Sequence, residues 1–78
     1  MNYSNLIIER ITHLCKERNI STNKLADLSY VRQSTISSIL DHSVKNPRLD
    51  TLCKISKGLD MTISEFLDFQ EMNDTFSK

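Results

Sequence analysis

The chain has little of what breaks a helix or staples a fold. Among its 78 residues are one glycine, one proline, no tryptophan and two cysteines. So few breakers favour an all-helical reading over one rich in turns. Neither cysteine has a close Cys or His companion, and His13 and Cys15, two residues apart, point to different faces of a helix. No zinc ligand set is therefore expected, and Cys15 and Cys53 read as two small buried thiols in a reducing compartment. No apolar run approaches the roughly 18 residues of a membrane span. Met1-Asn2-Tyr3-Ser4 lacks the basic-then-apolar profile of a signal peptide, so the expected compartment is the cytoplasm. There is no glycine-rich phosphate loop, and neither histidine has an acid or nucleophile partner at a readable spacing. That argues against an enzyme and against any cofactor or small-molecule substrate.

Charge is also missing in sum, at ten basic against ten acidic residues, but not in distribution. From Arg10 to Lys57 nine basic residues face four acidic ones, a net +5. After Gly58, five acids stand against Lys78 alone, a net −4. A basic body with an acidic end is compatible with one face turned to a polyanion.

The apolar residues recur with helical period. Ile7, Ile11, Leu14 and Cys15 mark a first helix over residues 4–18, and Asn19 tolerates the left-handed conformation that ends many helices. Ser21 is a plausible N-cap for a second helix over 22–29. A turn at Tyr30-Val31 leads to a third, over 33–40, in which only Ile36, Ile39 and Leu40 are apolar. Ser34, Ser37 and Ser38 lie opposite them, with Gln33 and Thr35 at the rims. The stretch 41–47 reads as a loop. A fourth helix over 49–57, with Leu52, Ile55 and Leu59 inward, ends at Gly58. Thr62 and Glu65 have capping-box spacing and open a fifth, whose inner face is Ile63, Phe66 and Leu67.

Two short helices joined by a tight turn, the second polar outside, form a helix-turn-helix arrangement. A surface helix ordinarily carries Glu, Lys and Arg, because Ser and Thr are poorer helix formers. A serine-rich outer face suits close approach to DNA instead, and Gln can bond bidentately to adenine.

Residues 7 to about 69 resemble the Cro- and lambda-repressor-like (XRE-type) helix-turn-helix family. The matching segments are Leu25-Ala26, Val31-Arg32-Gln33-Ser34-Thr35-Ile36-Ser37, Asn46-Pro47, Thr51-Leu52-Cys53-Lys54-Ile55 and Ile63-Ser64-Glu65-Phe66. The resemblance implies a compact five-helix bundle over residues 1–69 with a central helix-turn-helix. Residues 70–78 form a C-terminal tail able to extend the fifth helix. It further implies a sequence-specific transcription regulator that binds double-stranded DNA, commonly a repressor acting as a homodimer on a palindrome. By the same resemblance Gln33, Ser34, Ser37 and Ser38 fall where the family reads base edges. Thr22 falls where it touches phosphate, Lys45, Asn46 and Arg48 match its backbone-gripping loop, and Arg32 could reach a phosphate.

Four positions depart from the pattern. Tyr30 replaces the usual turn glycine, so it or a neighbour takes a strained dihedral, or the turn differs. Arg32 stands where a Ser or Thr caps the third helix. His42 replaces a glycine after that helix. Cys15 and Leu40 stand where many members carry a buried Arg–Glu pair, a replacement that is often neutral or stabilising. Phe69, Met72 and Phe76 recur at i, i+3 and i+7, and on an extended fifth helix they would form one stripe without an internal partner, an expected dimer interface. The competing functional reading is a helix-turn-helix protein-interaction module, such as an antitoxin or a regulator-binding protein, which the acidic end and zero net charge favour.

Overall fold

A computed structural model describes residues 3–76, with side chains through residue 75. The elements in order are α1 (Tyr3–Glu17), α2 (Thr22–Ser29), α3 (Gln33–Leu40), α4 (Leu49–Gly58), α5 (Ile63–Leu67) and α6 (Gln70–Phe76). Among the described residues there is no strand. One apolar core joins all the longer helices: Leu6, Ile7, Ile11, Leu14 and Cys15 of α1, Leu25 and Ala26 of α2, Ile36 and Ile39 of α3, and Leu52 and Ile55 of α4. Leu59 and Phe66 of the C-terminal part complete it. The radius of gyration, 11.7 Å, equals the roughly 11.5 Å of a compact chain this long.

The helix starts follow the sequence signals. Ser21 Oγ accepts the Lys24 amide at 3.1 Å. At α5 the capping box is complete: Thr62 Oγ1 accepts the Glu65 amide at 3.0 Å, and Glu65 Oε1 accepts the Thr62 amide at 2.8 Å. Those bonds to the ionised form hold the Glu65 carboxyl below its ordinary range. Arg32 begins α3 with no side-chain cap.

The ends of α1 to α4 share one device and use no glycine for it. Asn19, Tyr30, His42 and Asp60 all have positive φ, between 55° and 68°. Each closes a Schellman motif, in which the amide two residues past the helix returns to a carbonyl of its last turn. The bonds are Ile20 to Cys15, Val31 to Ala26, Ser43 to Ser38 and Met61 to Ser56, at 3.0 to 3.1 Å. Tyr30, at φ 56° and ψ 38°, is therefore the strained residue of the turn, at a cost of about 1–2 kcal/mol. Ile20, Val31 and Met61 offset part of such costs by packing back onto the core.

Gly58 serves a different purpose from the helix stop expected of it. It sits within the last turn of α4, where a Cβ would lie 2.2 Å from Ser29 Oγ, 2.9 Å from Ser29 N and 3.0 Å from Ser29 Cα. The left-handed residue is Asp60, two positions on. The glycine is there because α2 and α4 cross at its surface. Ser29 Oγ is buried at that crossing without a hydrogen-bond partner.

Three expectations change. Cys53 is exposed, because Leu52, Ile55, Ser56 and Leu59 form the inward line of α4 and Cys53 falls outside it. Cys15 is buried, and burial pushes its thiol up against a smaller opposing effect of Arg18. Leu40, at its partner position, is half-buried against the core. The C-terminal stripe is not an extension of α5. The chain breaks at Asp68-Phe69, Asn73 Nδ2 donates to Asp68 Oδ1 at 2.9 Å, and α6 lies separately on α1.

Candidate nucleic-acid interface

Helix α3 is held by Ile36 and Ile39, which point into the core. At 100° per residue, Ser34, Ser37 and Ser38 lie on the side opposite them with Gln33 at a rim, and Gln33, Ser34 and Ser37 are exposed. Ser38 and Thr35, neighbours one turn apart, are half-buried. Gln33 is thus an exposed residue at a rim of the outer face, and Ser38 a half-buried one.

The Gln33 amide does not swing free. Its Nε2 donates to Asn23 Oδ1 on α2. One N–H and the carbonyl oxygen of Gln33 remain, one donor and one acceptor side by side. Asn23 was not singled out in the sequence, where it is one of several polar residues on a short helix. The only signal was its position in the first turn of α2, ten residues before Gln33.

The residues matched to phosphate contacts flank α3 at both ends. Thr22, the first residue of α2, neighbours Asn23, and Arg32 immediately precedes α3; both are exposed. Beyond the other end, Lys45 and Asn46 line a cleft with Tyr3, Ser4 and His42. The start of α1 fastens this loop: Tyr3 Oη donates to the Pro47 carbonyl and Ser4 Oγ to the Val44 carbonyl, each at 3.4 Å. Asp41 Oδ1 accepts the Ser43 amide at 2.9 Å, and its hydrogen bonds with Ser43, helped by His42, hold its carboxyl low. Arg48 is exposed and sits 3.5 Å from Asp50.

Arg10, counted in the basic body, is committed elsewhere. Its guanidinium donates to the Phe66 and Glu65 carbonyls at 2.8 and 2.9 Å and lies 4.9 Å over the Phe69 ring. Phe69 therefore has an internal partner, and Met72 packs on the core; the expectation that this stripe lacks one is corrected. The Phe76 side chain lies outside the described residues.

Residues 10–71 match the family of Cro/C1-type helix-turn-helix DNA-binding domains. The chain belongs to that family. No curated protein matches it. Among solved structures it is similar to prophage Lp1 protein 11, with a TM-score of 0.82 and 25% identity over 92% of this chain and 95% of that one. This Cro/C1-type domain is thus a DNA-binding module of transcription regulation, in a family that is typically non-enzymatic. Among the described residues no helix is long and apolar enough to cross a membrane, and no group of three or more His, Cys, Asp or Glu side chains could hold a metal ion.

Proposed function

We propose that this domain represses transcription from the cytoplasm by occupying a palindromic operator as a homodimer, without enzymatic activity. Helix α3 lies in the major groove, with Gln33, Ser34, Ser37 and Ser38 on base edges. Thr22, Arg32, Lys45, Asn46 and Arg48 grip phosphates on either side and set the register. The observation that carries this reading is the exposed ridge of α3 with its glutamine braced by Asn23. A braced Gln loses less side-chain freedom on binding. Its remaining donor and acceptor suit adenine N7 and N6. We propose that the contact between copies uses the part of Phe69 and Met72 that their internal contacts leave exposed, together with Phe76, in a dimer that presents the two α3 helices about 34 Å apart.

Selection of bound sequences from a random duplex pool tests the reading, with the expected outcome a two-fold symmetric site. Gln33→Ala then costs roughly 1–3 kcal/mol on that site and relaxes one base position, whereas Lys45→Ala weakens all sequences alike and lowers the salt slope by about one. Identical behaviour of the two variants removes the division of labour. Sedimentation of the chain and of a version ending at Asp68 tests the dimer contact; a monomer in both cases refutes it.

A further inference from the structure

The most exposed large apolar side chain in the described domain stands at one of its four left-handed helix stops. Tyr30 is 92% exposed in the left-handed region, where glycine would sit without penalty. Nothing in the fold repays that ring. A strained backbone position with an exposed side chain points to a use outside the fold.

Its neighbours share the property. Leu28, 41% exposed, and Tyr30 line a cleft of about 270 Å³ with Ser29, Lys54 and Lys57, between the end of α2 and the outer side of α4. Among the described residues neither Lys54 nor Lys57 forms an ion pair. Lys24, also exposed, precedes Leu28 by one turn on the same flank of α2. Asp50, the acid one turn from Lys54, is drawn toward Arg48. The cleft is an apolar floor inside a basic rim.

This surface does not belong to the DNA ridge. On α2, Asn23 and Leu28 point about 140° apart, and Asn23 is the residue that faces Gln33. An apolar floor is also a poor match for phosphates. A second copy meeting it symmetrically would set Lys54 and Lys57 against their own duplicates, a like-charge contact that opposes association. The domain's own acidic helix α6 is no better an occupant. Its described outward side chains, Gln70, Glu71, Asn73, Asp74 and Thr75, include no apolar anchor, while Met72 is turned to the core.

We infer that the Leu28–Tyr30 cleft is a docking surface for a separate protein, which inserts an acidic amphipathic segment. One large apolar side chain fills the space between Leu28 and Tyr30, and flanking carboxylates meet Lys54 and Lys57. An aromatic hot spot inside a ring of complementary charge is the arrangement that concentrates binding energy at small interfaces.

The test is a selection from a random 16-residue peptide library displayed on phage. The intact domain is the target, and Lys54→Glu/Lys57→Glu is the counter-target. Enriched peptides should carry acids around a large apolar residue and bind both the counter-target and Tyr30→Gly at least tenfold more weakly. Tyr30→Gly relieves the left-handed strain, so its Tm should rise while peptide binding falls, which separates loss of the ring from loss of the fold. Its DNA affinity should match the parent's. No enrichment over the counter-target overturns the inference, as does enrichment of peptides without acids. A tenfold loss of DNA affinity in Tyr30→Gly would assign the ring to DNA, and self-association abolished by Tyr30→Gly would assign the cleft to a second copy; either result also overturns it.

Discussion

Two seams hold the short helices of this domain, and they are built from opposite materials. Where α2 crosses α4, the contact is made by smallness: Ser29 against Gly58, with no room for a Cβ. Where the C-terminal helices meet α1, one long side chain adds polar ties to the apolar seat of Phe66. Arg10 takes two carbonyls of α5 and stacks on Phe69 just ahead of α6. The first seam is close packing, which tolerates no added atom. The second is a set of separable polar contacts at a half-exposed site. The helix-turn-helix is therefore locked into its scaffold by shape, while the C-terminal end, seated by Phe66, is tied in addition by bonds that can be cut one at a time.

The sharpest way to break the comparison is Gly58→Ala. The added methyl meets Ser29 backbone atoms as well as its hydroxyl, so removing the hydroxyl cannot fully relieve it. A loss of about 3 kcal/mol is expected in urea denaturation, with Ser29→Ala/Gly58→Ala recovering only part. Full recovery would show that the clash is with the side chain alone.

Arg10→Met comes next. It keeps much of the apolar stem but removes two charged-donor hydrogen bonds and the ring contact, for an expected loss of about 2 kcal/mol. Amide exchange should quicken in α5 and α6 and leave α2 and α4 at the global rate. Uniform acceleration would mean that the two seams are one cooperative unit.

His42→Gly is expected to stabilise the domain by about 1 kcal/mol, since glycine takes the left-handed position without steric cost. Thermal melting measures it as a rise of roughly 4–8 °C.

Acid should act on the two seams unequally, with the smallest effect. Glu65 has a lowered folded pKa, so its contribution is present above the unfolded pKa and fades as pH falls through the folded one. Below about pH 4, amide exchange in α5 should rise before exchange at the α2–α4 crossing, where the contacting pair, Ser29 and Gly58, does not titrate. Asp41 has the same sign of shift, so the loop after α3 should loosen over a similar acid range.

The sequence showed the helices well, because apolar residues at helical spacing and caps such as Ser21 and Thr62 are local signals. It showed the outer face of α3 nearly as well, but not that Ser38 is half-buried there. Two of the four left-handed stops, Tyr30 and His42, were flagged because a glycine was missing there. Asp60 escaped notice because Gly58 looked like the stop. Arg10 and Asn23 were missed for a common reason. A surface cation and a polar helix residue look the same in sequence whether they face solvent or a partner 10 or 56 residues away.

What the sequence determined by itself is therefore whatever depends on neighbours within a turn or two: helix, cap and inward face. Tertiary structure decided which polar groups are already spent. It turned Arg10 from one of the charges counted in the basic body into the clasp of the C-terminal helices, and Gly58 from a helix stop into a crossing point. It also fixed Gln33 through Asn23 and left Tyr30 exposed beside Lys54 and Lys57. Each of these depends on a contact between helices, and the free energy of such a contact is set by where two faces meet in space, which no local pattern encodes.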